Sequence, residues 1–262
     1  MFMNTRDGKA IDYSILGDPK AATKLALIHS LAMDRTFWRP VAERLADTAA
    51  VLIYDCRGHG RSDKPNEPYT VGSFADDLAD LLDGAGWPSA IVGGASMGGS
   101  VALAFAQRYG RRVTGLGLFD TTAWYGPDAP KIWAERANKA RAEGLAALVE
   151  FQKTRWFGES FRQNKPEIVQ ASIDTFLRND PEAYALTCDM LGACDLRAGL
   201  SAIKAPTRIL VGEEDYATPV AMAQALHGAI AGSTLTVAKG ARHLTPLEIP
   251  DQVAAELRAL SR

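Results

Sequence analysis

A short segment in the first half of the chain places a serine where a predicted strand gives way to a predicted helix. An apolar run at residues 91–92 leads into the pattern Gly94-x-Ser96-x-Gly98, and a helical pattern begins directly after it. This is the nucleophile-elbow pattern, in which a sharp strand-to-helix turn exposes a serine hydroxyl. The two glycines leave room for neighbouring backbone at such a turn. The segment therefore predicts a sheet whose strand ends carry chemistry, with Ser96 as a nucleophile.

Short β-like runs alternate with helical patterns along most of the chain. Strands are predicted at residues 24–29, 50–54, 90–93, 113–119, 207–211 and 234–238, with an early antiparallel strand at 11–16. Helices are predicted at residues 36–46, 71–84, 97–109, 219–230 and 251–260. Such alternation is typical of a parallel sheet with helices on both faces. The sequence therefore predicts an α/β fold with a mostly parallel, doubly covered sheet.

Strand patterns vanish between residues 121 and 196, and helical patterns replace them. The predicted helices there cover residues 130–157, 166–179 and 181–194. We interpret this segment, residues 121–196, as a helical cap inserted between two parts of the core, residues 1–120 and 197–262. A cap would close a site from water and shape a substrate pocket. Its tryptophans either line that pocket or fill the small core of the cap itself.

Composition excludes several classes of function. The chain has 262 residues and a net charge of −2, with no long basic run, so neither nucleic acid nor an anionic membrane is an expected partner. It contains no apolar run of about 18 residues that could span a bilayer. Its first eight residues soon become polar and charged, so we do not expect the apolar segment of a signal peptide there.

The three cysteines are Cys56, Cys188 and Cys194, and none forms a C-x-x-C motif. We expect reduced thiols in a cytoplasmic protein. A disulfide or a metal site that joins Cys188 and Cys194 is the disfavoured alternative.

A serine nucleophile needs a base whose pKa lies near neutrality, which points to histidine. The chain has four histidines. His29 ends an early strand, His59 lies in a turn and His227 lies in a helical pattern, whereas His243 follows the last predicted strand. Open α/β sheets place their ligand sites in loops just past the carboxyl ends of strands. We therefore predict His243 as the base.

A carboxylate should accept the second N–H of that imidazole and fix its tautomer. Asp215 follows the predicted strand at 207–211, and the order Ser96, Asp215, His243 is the one expected for this pattern. Asp120 is the alternative, because it directly follows the strand at 113–119. We favour Asp215. The aspartate that does not serve the histidine would cap a helix or occupy a turn at the cap hinge.

The tetrahedral intermediate of acyl transfer needs two N–H donors aimed at its oxyanion. We predict the backbone amide of Met97, which follows the nucleophile, and that of Leu31, in the loop after the first long strand. The predicted pocket is lined by a set of large side chains: His29, Trp124, Trp133, Trp156 and Met190.

Together these pieces resemble the α/β-hydrolase superfamily over nearly the whole chain. The resemblance rests on the sequence DCRGHGRS at residues 55–62, on the elbow at Ser96, on the Asp215 loop and on His243. It implies an α/β-hydrolase fold with a helical cap. The turn at 55–62 recurs in the superfamily and is expected to be structural.

Finer signals resemble the branch that contains 3-oxoadipate enol-lactonase. They are HSL at 29–31, RGHG at 57–60, RWF at 155–157, FR at 161–162, PE at 166–167, CDLR at 194–197 and APT at 205–207. There are departures from that branch. Ala32 stands where a glycine is usual, and Gly192 and Ala193 replace an arginine–aspartate pair. Loss of that arginine argues against a dianionic substrate, and Arg155 and Arg162 are basic residues left in the cap that could substitute.

The resemblance implies a serine hydrolase of small carboxylic esters or lactones that works through an acyl-enzyme, without cofactor or metal. A C–C bond hydrolase of ring-fission products and a cofactor-free haloperoxidase or perhydrolase remain alternatives. A ligand-sensing protein on the same fold is the alternative outside enzymes. The expected partner is a small-molecule ester or lactone, and the sequence leaves a homo-oligomer open.

Overall fold

The computed structural model describes residues 1–261, and within them eight strands form one sheet. The strands are β1 (Phe2–Asn4), β2 (Ala10–Leu16), β3 (Thr23–Ile28), β4 (Ala49–Tyr54), β5 (Ala90–Ala95), β6 (Val113–Phe119), β7 (Thr207–Gly212) and β8 (Thr234–Ala238). Their order across the sheet is β1-β2-β4-β3-β5-β6-β7-β8. The pairs β1–β2 and β2–β4 are antiparallel, and the other neighbours are parallel. The carboxyl ends of the six strands from β3 to β8 therefore meet at one edge.

Eleven α-helices accompany these strands in the described part of the chain. They are α1 (Arg39–Leu45), α2 (Val71–Gly84), α3 (Met97–Arg108), α4 (Ala129–Glu143), α5 (Val149–Trp156), α6 (Glu159–Asn164), α7 (Pro166–Leu177), α8 (Pro181–Gly192), α9 (Val220–Ala229), α10 (Thr245–Glu248) and α11 (Pro250–Ala259). None of the helices within residues 1–261 is both long and apolar enough to cross a lipid bilayer.

Two adjacent glycines of β5 show that helices cover both faces of the sheet. A Cβ added at Gly93 would meet Leu257 of α11, and one added at Gly94 would meet the backbone of Gly98 in α3. Consecutive residues of a strand point to opposite faces, so α11 and α3 lie on opposite sides. The α/β-hydrolase fold with a mostly parallel, doubly covered sheet is thus confirmed.

The segment between β6 and β7 holds helices α4 to α8, and α4 packs against α8 along its length. Its two ends are joined, because Trp124 and Asp195 form an isolated antiparallel bridge and the amide of Leu196 donates to the carbonyl of Ala123 at 2.9 Å. This segment matches the predicted cap in character. The division into residues 1–120, 121–196 and 197–262 remains a prediction.

The long helix predicted at residues 130–157 is wrong, because the chain breaks there. Gly144 has φ +76°, a left-handed conformation that ends α4, and a short 3₁₀ turn (Leu145–Leu148) precedes α5. The short elements β1, α6 and α10 were not predicted, since three to six residues give no readable periodicity. The three cysteines are buried, free thiols, as expected.

Candidate active site

Ser96 occupies the turn between β5 and α3 in a conformation that side chains rarely adopt. Its backbone has φ +53° and ψ −118°, and its amide donates to the carbonyl of Phe119 at 2.9 Å. Its carbonyl accepts from the hydroxyl of Thr121 at 2.7 Å. These bonds to the neighbouring strand end hold the strained backbone in place. The turn therefore fixes the position of the Ser96 hydroxyl above the carboxyl edge of the sheet.

The glycines of the elbow allow backbone segments to touch. A Cβ at Gly94 would lie 2.0 Å from the carbonyl oxygen of Gly98, and a Cβ at Gly98 would lie 2.1 Å from that of Ile28. Carbon and oxygen atoms cannot approach so closely without moving the main chain. The close packing of β3, β5 and α3 thus requires glycine at both positions.

We expect Gly98→Ala to lower the free energy of unfolding by about 3 kcal/mol or more, because the added methyl group would displace the backbone of β3. Urea denaturation followed by circular dichroism measures the loss. Gly110→Ala is the matched control, since a Cβ at Gly110 meets no atom within 4 Å. Equal stability of the two variants would contradict the close contact at the elbow.

The structure brings Ser96, His243 and Asp215 together in one line of contacts. The Nε2 atom of His243 lies 3.0 Å from the Oγ of Ser96, and its Nδ1 lies 2.8 Å from the Oδ2 of Asp215. The three residues follow β5, β8 and β7, so the parallel sheet delivers them to the same edge. All three side chains are buried. A base placed between a hydroxyl and a carboxylate in this way can remove the proton of the serine.

Asp215 is held by its own loop as well as by His243. Its Oδ1 accepts from the amides of Ala217 and Thr218 at 2.7 and 3.0 Å, and its Oδ2 accepts from the hydroxyl of Thr218 at 2.8 Å. Burial acts to raise the pKa of Asp215, but the His243 imidazole and these donors outweigh it, and the pKa lies below its usual range. The carboxylate is therefore charged at neutral pH. Thr218 was not predicted, although an aspartate in a loop commonly accepts from backbone amides two or three residues further on.

Asp120, the alternative aspartate, faces a different set of partners. Its Oδ1 accepts from the amide of Gly212 at 3.1 Å, and its Oδ2 accepts from the amide and the hydroxyl of Thr245 at 3.0 and 2.6 Å. Burial, and then the charge of Asp215, raise the pKa of Asp120 well above its usual range. The side chain joins the end of β6 to β7 and to the start of α10. Its contacts are those of a structural cross-link.

The predicted oxyanion donors lie on either side of Ser96. Met97 is the first residue of α3, and Leu31 follows β3, the strand next to β5 in the sheet. Within residues 1–261, neither amide has a hydrogen-bond acceptor from the protein. Ala32, next to Leu31, has φ +60°, a left-handed conformation that explains why glycine is usual there. Two free amides thus flank Ser96, which is the arrangement that an oxyanion site requires.

A small cavity lies over Ser96, with its floor on the sheet and its roof in the cap. The floor is formed by five residues: Ser30, Leu31, Ser96, Thr218 and His243. The roof is formed by six residues: Tyr125, Trp133, Arg136, Gln152, Arg155 and Trp156. The free space is about 20 Å³, which is enough for a water molecule and too little for a lactone ring. A molecule the size of a lactone would have to displace surrounding side chains to occupy this space.

The cap is bonded directly to the loop that carries the histidine. The amides of His243 and Leu244 both donate to the carbonyl of Trp156, at 3.1 and 3.2 Å, and Arg242 donates to the carbonyl of Thr154 at 2.9 Å. The end of helix α5 is thus hydrogen-bonded to the loop that carries His243.

Two of the five predicted pocket residues line the cavity, and three do not. Trp133 and Trp156 lie in its roof. His29 instead lies below the site, fully buried, where its Nδ1 donates to the carbonyl of Ser30 and its Nε2 accepts from the amide of Cys56. Both ring nitrogens are thus committed to backbone.

Trp124 and Met190 lie outside the cavity for reasons of packing. The ring of Trp124 stacks against the guanidinium of Arg197, 3.7 Å away, at the base of the cap. Met190 lies in a separate groove between α8 and the start of α2. Conversely, Tyr125, Arg136 and Gln152 line the cavity and were missed, because nothing in their local sequence distinguishes them from solvated or core residues.

A mostly parallel sheet with a serine, a histidine and an aspartate in contact at its strand ends is typical of the α/β hydrolases. The sequence agrees, since the model of the alpha/beta hydrolase family matches residues 25–256, and the chain belongs to that family.

The relatives found by sequence and by structure include enol-lactonases and esterases. The chain is 32% identical to 3-oxoadipate enol-lactonase 2 of Acinetobacter baylyi over 94% of this chain and 91% of that enzyme. Its structure matches that of an enol-lactonase from Burkholderia xenovorans with a TM-score of 0.95 and 32% identity, covering 100% and 99% of the two chains. A thermophilic esterase from Thermogutta terrifontis matches with a TM-score of 0.93 and 31% identity, covering 100% and 97%. The predicted resemblance to the enol-lactonase branch is confirmed, and the chain is a hydrolase.

Proposed function

We propose that the protein hydrolyses small carboxylic esters or lactones through an acyl-enzyme on Ser96, in the manner of its enol-lactonase relatives. The observation that carries the proposal is the unbroken contact from Ser96 through His243 to Asp215, at 3.0 and 2.8 Å, beneath a small cavity roofed by the cap. The similarity to enol-lactonases and an esterase supports the same class of substrate.

In the acylation step, the Oγ of Ser96 attacks the carbonyl carbon while the Nε2 of His243 takes the hydroxyl proton. Asp215 stabilises the resulting imidazolium. The amides of Leu31 and Met97 donate to the oxyanion of the tetrahedral intermediate. The intermediate collapses, the C–O bond to the leaving group breaks, and His243 returns its proton to the leaving oxygen.

In the deacylation step, His243 removes a proton from a water molecule as that water attacks the acyl carbon. The second tetrahedral intermediate then expels Ser96, which regains its proton from His243. A lactone differs from an open ester in one respect. Its leaving oxygen stays attached to the acyl group, so the site must hold both ends of the opened ring until water arrives.

We expect short acyl esters and five- or six-membered lactones to exceed esters with acyl chains of ten or more carbons by about tenfold or more in kcat/KM. The space over Ser96 is small, so a long acyl chain must displace more side chains than a short one, and each displaced side chain costs packing energy. A turnover screen over lactones, enol-lactones and esters of graded length measures this preference. Ser96→Ala protein is the background control.

The same screen separates the remaining reaction types. Ring-fission products belong in it, and turnover of these without turnover of any ester or lactone would replace the proposal with C–C bond hydrolysis. Peracid formation from short acids, measured in parallel, tests the perhydrolase alternative. Preference for long acyl chains would contradict the small-substrate proposal.

A further inference from the structure

A side chain of the cap is bonded to the turn at residues 30–33, which carries one predicted oxyanion donor. Asn179 lies just after α7, and its Nδ2 donates to the carbonyl of Ala32 at 2.8 Å. The same amino group lies 2.9 and 3.1 Å from the carbonyl oxygens of Thr175 and Phe176. Only the amino end of an asparagine can face three carbonyl oxygens. The orientation of the Asn179 side chain is therefore fixed.

This hydrogen bond is one of two polar contacts between the α7 end of the cap and the loop after β3. In the described part of the chain, the other is the ion pair of Arg178 with Asp34 at 3.5 Å. Two cavities, of about 400 and 200 Å³, are lined by residues of both α7 and the segment 33–37. The two contacts thus bridge a junction that is not closely packed.

The hydrogen bond from Asn179 continues through two peptide units toward the active site. The carbonyl of Ala32 and the amide of Met33 belong to one trans peptide and point in opposite directions. The Met33 amide donates to the carbonyl of Ser30 at 3.1 Å. That carbonyl shares its peptide with the amide of Leu31, which lines the cavity and has no acceptor within residues 1–261. A chain of hydrogen bonds therefore leads from the cap to the predicted oxyanion donor.

The turn is also held by a histidine beneath it. The Nδ1 of His29 donates to the Ser30 carbonyl at 2.8 Å, so this oxygen accepts from two donors. Ala32 has φ +60°, a strained conformation that persists only where the surroundings hold it. Hydrogen bonds at both ends of the peptide between Ala32 and Met33 do so. The direction of the Leu31 amide is thus set by bonds to the peptides around it.

We propose that Asn179 is a positioning residue for the oxyanion site, acting on the Leu31 amide through this turn without touching the substrate. The proposal rests on the function proposed above. The bond to Ala32 orients the turn, and it polarises the chain of peptides because each hydrogen bond in such a chain strengthens the next. Both effects stabilise negative charge, which the tetrahedral intermediate carries and the bound ester does not. Asn179 therefore acts on kcat and not on KM.

The first test measures turnover of the best lactone, enol-lactone or short ester from the screen described above. We expect Asn179→Ala to lower kcat at least about tenfold, which is less than the loss of a whole oxyanion donor. KM should change less than about twofold. Turnover is expressed per serine labelled to completion by a fluorophosphonate, so unfolded protein does not count as lost kcat. Asn179→Leu, of nearly the same shape, repeats the test if the alanine variant does not fold.

Two other cap residues provide matched controls. Arg178→Ala removes the second polar contact of the same junction without touching the chain of hydrogen bonds. Asn164→Ala removes an asparagine of α6 whose Nδ2 bonds within the cap, to the carbonyl and the hydroxyl of Ser160 at 2.9 and 3.2 Å. Both controls should keep kcat within about twofold of the unaltered protein.

Inhibition by trifluoroacetone distinguishes positioning from a merely structural role. The Oγ of Ser96 adds to the ketone carbon, the hydroxyl proton passes to His243, and the oxygen of the hemiketal carries the negative charge that the oxyanion site binds. We expect Asn179→Ala to weaken this inhibition about tenfold or more, by the factor that it lowers kcat. Calorimetric affinity of the same substrate for Ser96→Ala protein should change less than about twofold when Asn179→Ala is added.

The outcomes separate this proposal from the proposed function. If Asn179→Ala kept kcat and ketone affinity at the level of the controls, or if Arg178→Ala lost as much of both, the positioning role would be overturned and the hydrolase proposal would stand. If the unaltered protein neither turned over any ester or lactone of the screen nor bound the ketone, the proposed function would fail, and the positioning role with it.

Discussion

Ser96→Ala should lower kcat on the preferred ester or lactone by a factor on the order of 10⁵. The substitution removes the atom that forms the acyl-enzyme, while the free amides of Leu31 and Met97 and the cavity remain. Residual catalysis over the uncatalysed reaction should therefore persist at a low level. Steady-state turnover with a matched concentration of unaltered protein measures the ratio.

A fluorophosphonate probe gives an independent readout that needs no known substrate. It should label Ser96 in a one-to-one ratio, which mass spectrometry of the digested protein can locate. Ser100→Ala is the matched control, because Ser100 lies one turn further along α3 and its buried hydroxyl donates to the carbonyl of Thr122 at 3.1 Å. That variant should label normally. A folded protein that resists the probe would favour a ligand-sensing role over an enzyme.

The meeting of Ser96, Asp215 and His243 at one edge of the sheet could be predicted from sequence, because parallel strands that follow one another in the chain end on the same side. Ser96, Asp215 and His243 each follow a strand whose pattern is visible in the sequence, and parallel strands end on one side. The elbow could also be predicted from sequence, because Gly94 and Gly98 mark backbone contacts that only glycine permits. Local pattern and global fold agree at these positions.

The choice between Asp120 and Asp215 could not be made from strand ends alone. Both follow neighbouring strands, β6 and β7, and both side chains are buried. The difference lies in which loop meets the imidazole of His243 and which meets the backbone of Thr245. That depends on the paths of three loops in space, which no single segment encodes.

The cap was the least predictable part of the site. The packing of α4 against α8 and the break at Gly144 decide which face of the cap helices is directed toward Ser96. Arg136 therefore has the sequence signature of a solvated charge, although it lies in the cavity roof. Trp124 has the sequence signature of a pocket residue, although it packs on Arg197 at the base of the cap.

Asp215→Asn should lower kcat by about 10⁴ with little loss of stability, and the geometry of its loop explains why. The amides of Ala217 and Thr218 both donate to Oδ1, so an asparagine must keep its oxygen there. Its NH₂ group then faces the Nδ1 of His243. The imidazole is forced to carry its proton on Nε2, the atom that must accept the proton of Ser96.

Asp120→Asn should have the reverse effect, with a loss of stability and little change in turnover. Both of its carboxylate oxygens accept from backbone amides, those of Gly212 and Thr245, so the NH₂ group of an asparagine must face one N–H donor. We expect the free energy of unfolding to fall by about 1–3 kcal/mol. The value of kcat should change less than about tenfold, because Asp120 does not contact His243.

Measuring kcat and the free energy of unfolding for both variants decides which aspartate holds His243. The two substitutions are chemically identical, and both aspartates are buried at adjacent strand ends, so burial alone predicts similar losses for the two variants. A role in holding His243 predicts a loss of kcat confined to Asp215→Asn. If Asp120→Asn instead lost turnover while Asp215→Asn kept it, Asp120 would be the partner of the base. The contact of 2.8 Å between His243 and Asp215 would then not describe the working site.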